Sequence, residues 1–352
     1  MPQNLIINDR QIGTGMPVYI VAEISANHNQ SFEHAVRLIR SAKDVGADAV
    51  KLQTYTPDTM TISCSNQYFQ IGEGTIWAGY DLYDLYSDAH TPWEWQPELK
   101  SLAESLDLDF FSTPFDSTAV DFLEDMNVSA YKVASFEIVD LPFIEKVAQT
   151  GKPIIMSIGM ATLTEIDEAV QEIRKAGGVQ LALLQCKSAY PAAPEAMNLR
   201  TIPHLSESFG VPVGLSDHTL GIAVSVAGVA LGACIIEKHF TLSRDEKGPD
   251  SAFSMEPNEF KAMVEAIRTV ERALGKISYE ATSQEISSRV FRRSLFVVKD
   301  MKAGDVFTKE NVRSIRPGYG LPPKYLKNIL GCQTMRDIIA GTPLEFSFLF
   351  RK

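Results

Sequence analysis

The side chains best equipped for chemistry stand at the ends of apolar, β-type runs. In chain order those ends carry Glu23, Lys51, Thr113, Lys132 with Ser135 and Glu137, Ser157, Lys187 with Ser188, Ser216-Asp217-His218, and Lys238-His239. Lys51, Lys132 and Lys238 lie inside strand runs, where burial is costly without an anionic partner. With the hydroxyls of Thr113, Ser135, Ser157, Ser188 and Ser216 they form a set of cationic and hydroxyl donors suited to a phosphate plus a carboxylate. The bland alternative pairs each lysine with Glu23, Glu137 or Glu237, and such pairs would also hold the lysines in place.

His218 and His239 end neighbouring runs, so their imidazoles can meet. Two histidines without a cysteine or a third histidine do not suit a structural zinc site. They suit an open, water-rich site for Mn²⁺, or for Mg²⁺ or Co²⁺, that polarises a carbonyl. Spacing alone leaves open a pair of satisfied strand-end histidines. His34 reads as a helix-surface residue and His204 as a loop residue; His28 follows the first run and could enter the site, and His90 could touch a substrate.

The elements that must position these groups alternate at a steady beat. Eight β-rich runs (VYIVAEIS, ADAVKLQT, LDFFSTPF, AYKVAS, PIIMSIGM, LALLQCKS, VPVGLSDHT, ACIIEKHF) are separated by amphipathic stretches such as FEHAVRLIRSAKDVG and TLTEIDEAVQEIRKAGG. Near-continuous apolar strands alternating with helices indicate a parallel sheet covered on its faces, here an α/β fold of the (β/α)8 TIM-barrel type over 1–275. Strand ends then converge on one mouth, making the polar groups a single site. NLIINDRQIG, with its Asn8-Asp9 turn, predicts a hairpin plugging the lower end. An aromatic insertion from about Thr59 to Pro97 follows the second strand and belongs on the upper face. Polar, linker-like residues 276–286 lead to a small, mostly β second domain at 287–352.

The chain has 352 residues, of which 45% are hydrophobic, and Lys+Arg 33 against Asp+Glu 44 gives 33 − 44 = −11. An acidic chain without basic clusters argues against nucleic acid and against an anionic membrane surface as partners. Four scattered cysteines without a C-x-x-C pair indicate a reducing compartment. MPQNLIINDRQ lacks a signal-peptide pattern, and the apolar stretch Gly221–Ile236 falls short of the ~20 residues a membrane span needs, so a cytoplasmic location is expected.

The same residues carry a resemblance to the sialic acid synthases, which condense phosphoenolpyruvate with an N-acetylated amino sugar. The matching motifs are AEISANHN, GADAVKLQT, FFSTPFD, AYKVAS, KPIIMSIGM, Tyr190-Pro191, GLSDHT, EKHFT, GPD and RPGYG, in family order over nearly the whole chain. GTIWAGYDLYDLY and AHTPWEW most resemble the pseudaminic acid synthases, and Gln30 in place of the more usual glycine points the same way. The resemblance implies phosphoenolpyruvate contacts from Lys51, Thr113, Lys132, Ser135, Ser157, Ser188 and Ser216, metal ligation by His218 and His239, and Glu23, Tyr190 and Asp250 near the sugar. Ser188 stands where sialic acid synthases usually have the longer asparagine. The C-terminal domain resembles type III antifreeze proteins (an SAF, or β-clip, domain); in the family it reaches across a domain-swapped homodimer, which would bring Arg316 to the partner's barrel.

On this reading the sugar is 2,4-diacetamido-2,4,6-trideoxy-β-L-altropyranose and the product pseudaminic acid. Glu23 is expected to activate the water, with Glu137 second, since a carboxylate beside lysines stays ionised. Tyr and Trp of the insertion could cover the sugar's 6-methyl face, or simply pack the loop. The rivals are a legionaminic or N-acetylneuraminic acid synthase, a Schiff-base aldolase, and a non-enzymatic carbohydrate-binding protein.

Overall fold

The computed structural model describes residues 4–178 and 180–350. The chain divides into two compact units, Met1–Gly275 and Lys276–Lys352, each described by itself. The first and last few residues of the expected domains, 1–3 and 351–352, lie outside the described residues.

The eight apolar runs become the strands of a closed parallel barrel. They are β3 (Tyr19–Glu23), β4 (Ala49–Thr54), β5 (Asp109–Pro114), β6 (Tyr131–Val133), β7 (Ile154–Ser157), β8 (Leu181–Cys186), β9 (Val213–Ser216) and β10 (Ile235–His239). β10 closes on β3, with Ile235 opposite Tyr19 and His239 opposite Glu23. The intervening helices carry their own start signals. Ser31 caps α1 (Phe32–Asp44) by accepting from the His34 N–H, and Thr162 with Glu165 forms a capping box on α7 (Leu163–Lys175). α7 buries Ile166, Ala169, Val170 and Ile173, a helical stripe facing the barrel.

Because strand side chains alternate, each strand feeds two cores. Ile20, Ala22, Val50, Leu52, Phe110, Ile154, Leu183 and Ile236 pack outward against the helices. Tyr19, Val21, Ala49, Phe111, Ile155, Ala182, Leu184 and Ile235 point inward and fill the lower barrel. Leu5, Ile7 and Ile12 join that inner cluster from an antiparallel hairpin of β1 (Leu5–Ile7) and β2 (Arg10–Ile12), as the plug expected from the sequence. Its turn residues Asn8 (φ 45°) and Asp9 (φ 65°) are both left-handed, as a two-residue hairpin of this twist requires. With the lower barrel filled, the inward positions above it form the floor of the open end.

The aromatic insertion holds α2 (Pro57–Met60) and α3 (Leu82–Ala89), and α4 (Gln96–Ser105) follows it. The remaining barrel helices are α5 (Ser117–Asp125), α6 (Leu141–Gln149), α8 (Thr201–Phe209), α9 (Ala223–Ala230) and α10 (Pro257–Leu274). The segment read as linker carries α11 (Ser283–Ser288), started by a Thr282–Glu285 capping box of the S/T-x-x-E type. The second unit pairs β11 (Ser294–Val297) with β12 (Val312–Ile315) and β13 (Gln333–Thr334) with β14 (Leu349–Phe350), both antiparallel. Leu295, Val297, Met301, Phe307, Val312, Ile338, Leu344 and Phe348 make its core. Among the described residues, no helix is long and apolar enough to cross a membrane.

Candidate active site

Two lysines end inside the upper barrel. Lys51 and Lys132 are 3% and 2% exposed, and each is held by groups from neighbouring strands. Lys51 Nζ lies 2.5 Å from Glu23 Oε2 and donates to Thr113 Oγ1 at 2.9 Å. Lys132 Nζ donates to Ser157 Oγ at 2.7 Å and to the Val133 carbonyl at 3.1 Å. Glu237 sits between them, its Oε1 3.7 Å from Lys51 and 3.9 Å from Lys132, and accepts from Ser216 Oγ at 3.3 Å. Two ammonium groups against two carboxylates sum to zero, so a polyanion bound here needs further positive charge or further donors.

The donors are present. A Cβ built on Gly159 (φ +30°) would lie 2.4 Å from Ser135 Cβ and 2.5 Å from both Ser135 Oγ and Ser188 Oγ. Only glycine leaves room for Ser135 and Ser188 to crowd the loop after β7. Among the described residues the buried Oε2 atoms of Glu137 and Glu237 and the Ser188 hydroxyl lack a hydrogen-bond partner, and the Ser188 hydroxyl is the one free to donate to an anionic ligand.

Across the mouth, the His218 and His239 ring centroids are 5.4 Å apart. His218 Nδ1 donates to the Lys187 carbonyl oxygen at 2.8 Å, which fixes the ring. Burial opposes its charged form, but Cys186 and this hydrogen bond hold its pKa above the ordinary value, so a cation would displace the proton on Nε2. His239 Nδ1 is buried without a hydrogen-bond partner, 3.9 Å from Asp250 Oδ2. Among the described residues no three His, Cys, Asp or Glu side chains gather into a ligand set. The pair therefore fits a cation that keeps open positions for water or substrate rather than a closed structural site. Asp250 is anchored by Ser25 Oγ–H, and Gln53 Nε2 donates to Ser25 Oγ at 2.9 Å and to Glu23 Oε1 at 3.3 Å, linking the two halves of the mouth.

Burial sets the charges. It pushes the Glu23 carboxyl up to about 7, reinforced by Glu237 and opposed by Lys51. Burial pushes Glu137 up to about 7 as well. Burial lowers Lys132 and carries His239 well below its ordinary value, helped by His218, so the His239 imidazole is neutral and able to ligate. The lysines hold Glu237 ionised against its burial.

Aromatic side chains wall one side. Tyr190 lies over His218 at 4.3 Å between centroids, Phe253 meets His239 at 4.9 Å, and Trp77 reaches Tyr190 at 5.6 Å. The Trp77 indole N–H donates to the Pro249 carbonyl, one residue before Asp250. Beside it a cavity of about 430 Å³ opens among Asn29, Gln30, Trp77, Tyr80 and Lys247. Gln30 Nε2 donates to the carbonyls of Asp88 (3.0 Å) and His90 (2.6 Å), tying the loop after β3 to the end of α3.

Most expected site residues thus converge: Glu23, Lys51, Thr113, Lys132, Ser135, Ser157, Ser188, Tyr190, Ser216, His218, His239 and Asp250 belong to the barrel mouth, and Glu137 follows β6 on a 3-10 turn. Lys238 does not. It alternates outward from His239 and pairs with Asp217 at 2.9 Å on the outer side of the barrel wall. Glu237 takes the inward place, a residue that strict alternation back from His239 would have found. Cys186 also faces in, its Sγ 3.9 Å from His218 Nδ1. His28 is buried against Thr91 (3.1 Å) and Trp95 rather than in the site. His34 is buried and lies 3.0 Å from Glu246, a long-range partner that no local pattern shows. His204 lies on helix α8, not in a loop, and His90 caps α3 with Nδ1 2.8 Å from the Ser87 carbonyl. Several of the insertion's aromatics pack: Trp93 stacks on Phe122, while Trp95 meets Phe32 and Tyr86 meets Tyr55 edge-to-face. Trp77 instead reaches the mouth through Tyr190, and nothing in its spacing distinguishes it. Arg316 is exposed and directly follows β12 in the second unit.

Comparisons with known proteins agree with this architecture. A pseudaminic acid synthase of Helicobacter pylori is 48% identical over 330 residues, covering 94% of this chain and 97% of the relative. An N,N'-diacetyllegionaminic acid synthase of Legionella pneumophila is 36% identical over 94% of each chain. The crystal structure of an N-acetylneuraminic acid (sialic acid) synthetase from Leptospira borgpetersenii, in complex with citrate, superposes with a TM-score of 0.73 at 31% identity, covering 82% of this chain and 95% of that one. An SAF domain matches residues 292–349, and the NeuB family matches 38–279. A barrel whose lysines, hydroxyls and paired histidines share one rim, followed by that small domain, places the chain in the NeuB family.

Proposed function

We propose that the chain condenses phosphoenolpyruvate with 2,4-diacetamido-2,4,6-trideoxy-β-L-altropyranose and water, giving pseudaminic acid and phosphate by C–O cleavage. The observation that carries this reading is the pair of buried lysines sharing Glu237, ringed by hydroxyls that include the unpartnered Ser188 Oγ, beside an open histidine pair. The choice of sugar follows the similarity to the H. pylori pseudaminic acid synthase. We assign 1–275 as the synthase domain, 276–286 as linker and 287–352 as the antifreeze-like domain. Four free cysteines accord with a cytoplasmic enzyme.

Lys51 and Lys132, with Thr113, Ser135, Ser157, Ser188 and Ser216, hold the phosphate and carboxylate of the donor and neutralise charge that develops on them. His218 and His239 would hold a divalent cation, Mn²⁺ in our reading with Mg²⁺ or Co²⁺ as substitutes, which when bound polarises the aldehyde of the open-chain sugar. Tyr190 and Asp250 orient the sugar, and Trp77 covers its apolar 6-methyl side. The methylene carbon of phosphoenolpyruvate forms the new C–C bond as its π electrons attack the aldehyde. Water deprotonated by Glu23 adds to the resulting oxocarbenium carbon; Glu137 is the second choice for this base. The tetrahedral intermediate then expels phosphate with the C–O electron pair. We further propose a domain-swapped homodimer in which Arg316 of one protomer completes the other's sugar site.

Phosphate release with phosphoenolpyruvate and each sugar tests the activity. Turnover is expected with the L-altro diacetamido sugar, and Trp77→Ala is expected to raise the KM for that sugar about tenfold while leaving that for phosphoenolpyruvate unchanged. Turnover only with the legionaminic precursor or N-acetylmannosamine would overturn the sugar assignment. Because Glu23 must be ionised to take a proton, kcat/KM should rise with pH through about 7, and Glu23→Gln should cost at least about 100-fold. A large loss in Glu137→Gln but not in Glu23→Gln would move the base to Glu137. Arg316→Ala should be inactive alone yet regain activity when mixed with a Lys132→Met subunit; no recovery would contradict action across subunits.

A further inference from the structure

Lys238 and Asp217 form a fully buried ion pair in the barrel wall that takes no direct part in the mouth, and each immediately precedes one of the two mouth histidines. Alternation turns His239 inward and its neighbour Lys238 outward. Lys238 is 1% exposed; its Nζ lies 2.9 Å from Asp217 Oδ2 and donates to the Thr219 carbonyl at 2.5 Å. Asp217 is saturated in turn. Its Oδ1 accepts from the Thr219 N–H at 2.8 Å and Oγ1 at 2.7 Å, and its Oδ2 from Ser225 Oγ on α9 at 2.7 Å. One ammonium group therefore grips the segments on both sides of His218 while standing next to His239. The Asp217 N–H donates to the Glu237 carbonyl at 2.9 Å, joining β9 and β10 at the same level.

A buried ion pair adds little net stability over apolar side chains of the same volume. What it does supply is a fixed geometry between two chain segments. We propose that Asp217 and Lys238 are positioning residues: their pairing sets the separation and aim of the His218 and His239 imidazoles, and hence the affinity for the divalent cation between them. This rests on the reading that those histidines hold a cation. Outer partners of metal ligands commonly govern affinity by about 10–100-fold.

The test is direct binding of Mn²⁺ to the full-length protein, read from the electron paramagnetic resonance signal of the free ion. Wild type must bind first; absence of binding would remove the cation reading itself, separately from this inference. Lys238→Met is expected to weaken Mn²⁺ by about tenfold or more. Arg268→Met serves as the stability control, since it breaks a pair with Asp48 (3.0 Å) at the opposite end of the barrel. It should lower the unfolding midpoint and leave Mn²⁺ affinity unchanged. If Lys238→Met does not fold, Ser225→Ala removes a single hydrogen bond to Asp217 and should give a smaller loss in the same direction. Mn²⁺ affinity equal to wild type in the folded Lys238→Met protein, or in Ser225→Ala where that is the variant recovered, would overturn the proposal. So would an equal loss in Arg268→Met.

Discussion

Two ammonium groups in the interior of a closed barrel are the constraint on which the rest depends. Lys51 and Lys132 have almost no contact with water, and desolvation alone would drive both toward the neutral amine. Glu23 and Glu237 prevent this, and the result is a compact network with no net charge. A ligand carrying phosphate and carboxylate would compete with these carboxylates for the two ammonium groups, and its negative charge calls for more positive charge to arrive with it. The histidine pair on the adjoining strands stands where that charge would enter. The apolar lower layer and the hairpin plug make this economical, because they keep the polar groups at one end and exclude water from beneath them.

The sequence exposes much of this because a parallel barrel writes its strands as continuous apolar runs and delivers their last residues to one rim. Glu23, Lys51, Lys132, His218 and His239 were legible for that reason. Lys238 departs from that pattern. In Ile-Ile-Glu-Lys-His, adjacent residues face opposite sides, so His239 at the site requires Glu237 there and Lys238 outside. A lysine at a strand end invites assignment to the mouth, but Asp217 lies ready on the neighbouring strand's outer side. The alternation was in the sequence; the acidic partner that overrides the lysine's preference for an open mouth was a tertiary fact.

Other features depended on contacts distant in the chain. His34 is buried and meets Glu246, far along the chain, at 3.0 Å. The insertion's tryptophans and tyrosines look alike in sequence, yet Trp93 and Trp95 pack on Phe122 and Phe32 while Trp77 turns to Tyr190. Gln30 is informative in both views: its departure from the more usual glycine supplies the amide that holds α3 by two carbonyls. The loop after β3 is thereby held to the end of the aromatic insertion's helix.

The most direct measurement is calorimetric titration of phosphoenolpyruvate into the folded Lys132→Met protein beside wild type. Lys132 has Ser157 and Glu237 as its side-chain partners, and Glu237 keeps Lys51 when Lys132 is gone, so the scaffold should persist. If the buried lysines form the anion site, affinity falls by at least about 30-fold, the equivalent of losing one desolvated charge-assisted contact. Undiminished binding would contradict the account.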